Sequence, residues 1–414
     1  MAVVRPFAAV RPRLDVVDKV ICLPYDVMNR KEAKEMANGN PFSYLHVVRS
    51  EMDVPDEMDQ YDPLVYQTAK KNLDQFQTDG VLFQDQAPQY YIYRQIMWGR
   101  VQTGIVACTS IDEYLNETIK KHEFTRPVKE VDRINNFDVC DAHTEPVFLS
   151  YKKNDEINGI VNDWIKFHMP TYNVTTEDEI THIFWPIDDQ EKVNRLQDLF
   201  AGIDYLYIAD GHHRSASSVK VGLKRREENP NFDGTEEFNF FMAVIFPDED
   251  LFIMDYNRVV KDLNGHSKED FLKTIGEKFE VEVVGAKAYK PMSARNFGVF
   301  LDGQWYRLTA KQGIFDDNDP VDRLDVSILQ KNLLHPVLGI ADPRTDNRID
   351  FIGGIRGLSE LERRCGLDMQ VAFSMYPTTM ADLIAIADAG EVMPPKSTWF
   401  EPKLRSGMFV HKMK

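Results

Sequence analysis

The chain has 414 residues, of which 43% are apolar, 28% charged and 11% aromatic, the composition of an ordered globular protein. Its 49 Lys and Arg against 66 Asp and Glu give a formal net charge of −17, which argues against a nucleic-acid partner. Cys22, Cys108, Cys140 and Cys365 form no C-x-x-C pair, which argues against structural zinc, an iron–sulfur cluster or a disulfide framework.

Arg5-Pro6 and Arg11-Pro12 mark an irregular start, and the apolar run Val16–Leu23 ends at Pro24-Tyr25-Asp26. Helices are predicted over Asn29–Asn38, stopped by Gly39, and over Asp62–Asp79, stopped by Gly80. Tyr90–Trp98 and Val101–Thr109 read as an antiparallel hairpin around Gly99-Arg100, with Ile111–Lys121 helical behind it. Further helices are predicted over Ile157–His168 and Gln190–Ala201. Ile203–Ala209 then reads as a buried strand that breaks at Asp210-Gly211, followed by a Ser215–Glu228 helix and a second buried strand, Phe238–Phe246. Strand, tight turn, helix and strand in that order form an α/β layer. Ser267 and Asp270 resemble a capping box opening a helix over Asp270–Phe279. Asp302-Gly303 sits at the centre of a hairpin, and Asp322–Val337, Leu358–Cys365 and Met380–Ala389 read as helices. The proline-marked Met393–Lys414 reads as an extended tail. This order suggests a region over 1–110, a central domain over 111–264 and a C-terminal region with a basic tail over 265–414. No apolar run approaches bilayer length and Met1–Arg13 lacks a signal-peptide core, so a cytoplasmic protein with no membrane partner is expected.

The sharpest feature is Asp210-Gly211-His212-His213-Arg214, set between a buried strand and a helix. A helix opening there aims its first N–H groups and its dipole into the turn. Gly211 lets backbone approach a ligand, and Arg214 can grip a phosphate bidentately beside His213. Asp210 could hold Mg²⁺ or accept a proton from a hydroxyl. The alternative is an ordinary capped Asp-Gly turn. Adjacent histidines on a helix point about 100° apart, so His212 and His213 do not naturally share one metal.

A second cluster runs from Lys121 to Arg126 and on through Lys129-Glu130 and Asp132-Arg133. It offers Glu123 as a carboxylate base and His122 and Arg133 as phosphate contacts, or else a salt-bridged helix face. A third, Met393-Pro394-Pro395-Lys396-Ser397-Thr398, presents Lys396, Ser397 and Thr398 as donors on a rigid lead. It lacks the glycines of a P-loop. Two basic termini on an acidic body could line a local anion site. Asp26, after Pro24-Tyr25, could join a site or cap a helix.

Taken in order, Arg5-Pro6-Phe7, Pro24–Val27, His122-Glu123, Asp132-Arg133, Asp210–Arg214 and Met393–Thr398 resemble a bacterial family catalogued only as a domain of unknown function. The Asp210–Arg214 element is also similar to a motif of the ParB/sulfiredoxin fold, in which a Gly, a variable residue, His or Arg, and Arg open a helix that cradles nucleotide phosphates. Gly211, His212, His213 and Arg214 match it position by position. The variable position is the catalytic cysteine in sulfiredoxin and His212 here, so the resemblance does not carry that redox chemistry. In the free serine kinases of this fold an Asp-Gly start and a distant glutamate serve phosphoryl transfer. Asp210 matches the first, and Glu123 is the expected second.

These readings converge on an α/β (α+β) protein with mixed sheets and a central ParB/sulfiredoxin-like nucleotide-binding domain. The expected activity is Mg²⁺-dependent phosphoryl transfer from a nucleoside di- or triphosphate to a small hydroxyl metabolite such as free serine. Asp210, His212 and Glu123 are the expected catalytic residues, with Asp210 also the metal ligand. Gly211, His213, Arg214, Lys396, Ser397, Thr398, His122 and Arg133 are the expected phosphate contacts. The alternatives are a non-catalytic ParB-like nucleotide-binding regulatory module and a metal-dependent phosphohydrolase built on Asp210 and His212. The partners are a nucleotide and a small acceptor, and a homo-oligomer is left open.

Overall fold

The computed structural model describes residues 2–414, and the chain forms two compact units. The first takes the chain up to Lys121, Thr125–Leu251 and Pro402–Lys414; the second takes His122–Phe124 and Phe252–Glu401. No helix among the described residues is long and apolar enough to cross a membrane. Both units combine helices with sheets, as the α/β reading expects.

The first unit is built on a nine-stranded mixed sheet. From one edge its strands are Ile119–Lys120, Leu206–Asp210, Val147–Tyr151, Phe240–Pro247, Arg100–Ser110, Tyr90–Met97, Thr181–Ile187 and Tyr172–Thr175, with Val4–Arg5 paired to Arg100–Ser110. Leu206–Asp210 runs parallel to Ile119–Lys120 and antiparallel to Val147–Tyr151, which itself lies parallel to Phe240–Pro247. The hairpin expected around Gly99-Arg100 forms, pairing Met97 with Arg100. Alternate strand residues such as Ile92, Ile105, Leu149 and Ile245 pack with Ile157, Trp164, Leu196 and Phe200 of the Asp155–Phe167 and Gln190–Ala201 helices. A second core gathers the Pro63–Thr78 helix, residues of Leu45–Val48, and Val410 from the tail.

Local chemistry moves some element ends. The Asn29 capping box opens the Arg30–Ala37 helix, and Asp62 caps Pro63–Thr78 with Pro63 in its first turn. The helix expected over Ile111–Lys121 stops after Ile111–Leu115. Glu117 turns left-handed at φ +64°, and Thr118 N–H donates to Asn116 Oδ1, so the chain swings into the Ile119–Lys120 strand. Pro127–Cys140, met in the sequence as a charged stretch, is a helix opened by Pro127.

The second unit carries a six-stranded antiparallel sheet in the order Phe279–Gly285, Gln304–Ala310, Asn296–Leu301, Val371–Ser374, Tyr256–Val260 and Ile349–Gly353. The Asp302-Gly303 hairpin pairs Leu301 with Gln304. The helix behind Ser267 ends at Ile275 rather than Phe279, because Phe279 begins a strand. Asp325–Leu329 is helical and continues as a π-helical turn over Gln330–Leu334, shorter than the run expected over Asp322–Val337.

Candidate functional site

Leu206–Ala209 is fully buried, so the strand can end only where polar groups find partners, and it ends at Asp210. Gly211 follows at φ +92°, a left-handed conformation costly for any residue with a Cβ. The helix then opens at His212 and runs to Glu228, three residues earlier than the sequence suggests. A glycine N-cap brings no side chain to the first-turn N–H groups, which leaves that helix end suited to an anion.

Asp210 is held at both oxygens. Gly211 N–H donates to Oδ1 at 2.7 Å, and Lys403 Nζ donates to Oδ2 at 2.8 Å. Burial alone would raise this carboxyl, but Lys403, Arg214 and the Gly211 N–H outweigh it and hold it well below the usual carboxylate range. His212 is buried, and burial pushes its imidazole down to about 3, so it is neutral at physiological pH. His213 is half-buried and accepts the Arg126 N–H at Nε2, 2.9 Å away, which assigns the ring proton to Nδ1.

Arg214 lies beneath the turn, only 3% exposed. Its Nη1 donates to Pro146 O at 2.6 Å, while its Nε has no hydrogen-bond partner among the described residues. Burial would lower its pKa, but Asp26, Glu145, Asp210 and Tyr25 face it and raise it instead, so the guanidinium stays charged.

Around Arg214 lies a buried polar network. Glu145 accepts from Tyr25 N–H at 3.0 Å, Ser406 Oγ at 2.8 Å and Arg133 Nη1 at 3.2 Å. Arg133 also donates to Asp132 Oδ2 and stacks over the Tyr25 ring at 3.9 Å. Arg133, expected as a phosphate contact, is thus spanned by two carboxylates and fixes Glu145 and Tyr25 in place.

The remaining expected residues belong to the second unit. His122 is buried, its carbonyl accepts the Met393 N–H at 2.8 Å, and Glu123 beside it is half-buried. Lys396 is left-handed at φ +59°, its carbonyl accepts from Arg258 Nη2 at 2.9 Å, and its amine lies 5.5 Å from the Tyr256 ring centre. Ser397 Oγ donates to Pro394 O, Ser397 O accepts from Thr378, and Thr398 is half-buried. Sequence reasoning missed Lys403 and Glu145. Lys403 was visible only as one cation of a basic tail, and Glu145 carried no signal beyond preceding a proline and an apolar strand.

A family model described as a protein of unknown function (DUF1015) matches residues 4–327. The chain belongs to this family. No relative is found among curated proteins. Among solved structures, this family member is similar to a free serine kinase variant in complex with AMP, at 14% identity over 71% of this chain and 86% of that one, with a TM-score of 0.38. It is similar also to a conserved hypothetical protein from Pyrococcus furiosus, at 14% identity over 74% and 95% of the two chains and a TM-score of 0.36. The C-terminally truncated SbnI from Staphylococcus aureus shares 9% identity over 74% of this chain and 87% of its own, at a TM-score of 0.39.

Proposed function

We propose that the Asp210–Arg214 turn binds the phosphates of a nucleoside di- or triphosphate with Mg²⁺, and that the chain transfers a phosphoryl group to a small hydroxyl metabolite. Free serine is the first acceptor to test. One observation carries the reading: an ionised carboxylate, a left-handed glycine, an uncapped helix N-terminus and a buried arginine with a spare donor follow one another within five residues.

The roles follow from the geometry. First-turn N–H groups and the helix dipole favour phosphate oxygens, and Gly211 leaves the approach clear of a Cβ. Lys403 adds positive charge at the same turn. Asp210 stays ionised, and each of its oxygens keeps a further lone pair beyond its present bond, so the donor suits a hard divalent cation. When bound, Mg²⁺ would neutralise phosphate charge. A carboxyl so far below its usual range stores a proton poorly, so Asp210 orients the attacking hydroxyl rather than keeping its proton. His212, neutral and buried, is suited to hydrogen bonding at the turn and not to donating a proton as imidazolium. The proposal rests on first-unit residues alone; His122, Glu123, Lys396, Ser397 and Thr398 carry no part of it.

The test is product analysis with ATP and Mg²⁺ across a panel of hydroxyl metabolites. A phosphorylated acceptor, formed only when acceptor is present, supports transfer. Phosphate release without acceptor would replace it with hydrolysis, and calorimetric binding without turnover would replace it with a regulatory module. Absence of nucleotide binding at millimolar concentration would end the reading.

A further inference from the structure

A cavity of about 210 Å³ in the first unit is lined, among others, by Arg94, Thr103, Tyr151 and Pro247 from four adjacent strands, by Asn158 of the Asp155–Phe167 helix, and by Asp250. Val147–Tyr151 and Phe240–Pro247 run parallel and both end at it, the place where ligand crevices open in α/β sheets. The Asp210 turn lies toward the other end of the sheet, since Asp210 pairs with Phe148 near the start of Val147–Tyr151. Arg94 and Asp250 are the charged residues of the lining. Both are half-buried, and neither forms an ion pair with any described residue.

One residue holds the two charges in place. Thr103 Oγ1 accepts from Arg94 Nε at 2.9 Å, and the Thr103 N–H donates to Asp250 Oδ2 at 3.0 Å. Both Arg94 Nη groups and Asp250 Oδ1 are left without a hydrogen-bond partner among the described residues, yet none of them is sealed from water. Asn158 Oδ1 accepts from the Tyr151 hydroxyl at 3.1 Å, so its Nδ2 is a further open donor. Burial acts most strongly on both charges, lowering Arg94 and raising Asp250 against their attraction for each other. Opposite charges withdrawn from bulk water and left unpaired favour a guest that brings the missing counter-charges. Such a guest carries a carboxylate for the guanidinium fork and an ammonium for the carboxylate, a few bonds apart.

We infer that this cavity binds a free α-amino acid with a small apolar side chain, its carboxylate on the Arg94 Nη groups and its ammonium on Asp250 Oδ1. The guest's side chain has Ile105, Val161 and Ile245, buried apolar residues of the same lining, to rest against. At about 210 Å³ the space falls below the roughly 300–1,000 Å³ of drug-sized sites, which fits a guest of few heavy atoms. None of the residues proposed for phosphoryl transfer takes part, so the assignment is independent of that reading.

The test is calorimetry on the full chain with L-valine as the probe, beside isobutylamine and isovalerate, which are valine without its carboxylate and without its ammonium. Valine should bind, and both single-charge compounds should bind about tenfold or more weakly. Arg94→Met and Asp250→Asn, checked for their fold by circular dichroism, should each lower valine affinity by about tenfold or more. Each should also erase one preference, a readout that mere loosening of the cavity would not give. Asp250→Asn should bind isovalerate as well as it binds valine, and Arg94→Met should do the same with isobutylamine. If a variant does not fold, the wild-type ranking of the three compounds decides. No binding of valine at millimolar concentration, equal binding of either single-charge compound to the wild type, or wild-type valine affinity in a folded variant would each overturn the assignment.

Discussion

Gly211 and Arg214 are matched to each other: a Cβ placed on Gly211 would lie 3.0 Å from Arg214 Nε and 3.2 Å from its Cζ. Gly211→Ala therefore meets two costs, a left-handed backbone of about 1–2 kcal/mol and displacement of the guanidinium from beneath the turn. The expected result is a folded protein with a lowered melting temperature and nucleotide affinity reduced about tenfold or more, read by calorimetry. Unchanged affinity would detach the turn from nucleotide binding. The Asp210–Lys403 pair yields a second expectation. Its side chains are 28% and 14% exposed, between the surface and buried limits, so Lys403→Met should cost about 1–3 kcal/mol in urea unfolding. Asp210→Asn with Lys403→Met should cost less than the two separately, because each single change strands the other partner. Strict additivity would show that the pair is not coupled.

At the scale of elements, legibility followed the range of the interactions. The Leu206–Asp210 strand and the helix after it were readable because an apolar run, an Asp-Gly break and a helical period lie within about twenty residues. The helix began earlier than expected because the left-handed Gly211 starts it, and the two histidines and the arginine behind that glycine carry no apolar period to mark a first turn. Short strands such as Tyr256–Val260, Ile349–Gly353 and Val371–Ser374 were missed because neighbours distant in sequence, not local pattern, make them strands. Lys403 was unreadable as a partner of Asp210 for the same reason, since 193 residues separate them. The tail, expected to run extended over the body, is in part a structural member of the first unit. Leu404, Met408, Phe409, Val410 and Met413 are each at most 4% exposed, and His411 and Lys412 pair with His143 and Ala142. At about 2 kcal/mol for each buried apolar side chain, these residues contribute on the order of 10 kcal/mol, comparable to a whole domain's stability. Removal of Pro402–Lys414 should abolish the cooperative unfolding transition of the first unit, whereas Phe409→Ala should leave a folded protein weakened by about 3–5 kcal/mol. A truncated chain that melts as the full chain does would refute this.

For the whole molecule, the buried titratable groups set opposite acid responses in the two units. In the first unit, burial lowers His143, His182, His212 and His411 below the ordinary 6.5, with His182 and His212 reaching about 3. As pH falls below 6.5 the unfolded chain takes up these protons and the native unit does not, so stability is lost. Glu113 opposes the trend: burial raises it to about 7, so the native unit binds its proton first as pH falls. His46, raised chiefly by its hydrogen bond to Asp53, acts in the same direction as Glu113. Four groups against these two leave a net loss of stability as pH falls below 6.5. In the second unit burial raises Asp325 to about 7, which adds stability as pH falls toward about 4. Asp342, held down to about 2 chiefly by its hydrogen bond to Arg344, takes stability away only below about pH 5. Hydrogen exchange at several pH values, corrected for intrinsic rates, reads the two units separately. Peptides from the Leu206–Asp210 strand and the Ala142–His143 pairing should lose protection between about pH 6.5 and pH 5, while peptides around Asp325 keep theirs. Loss of protection in step across both sets, or none in the first down to about pH 5, would mean that the buried histidines do not govern the acid response.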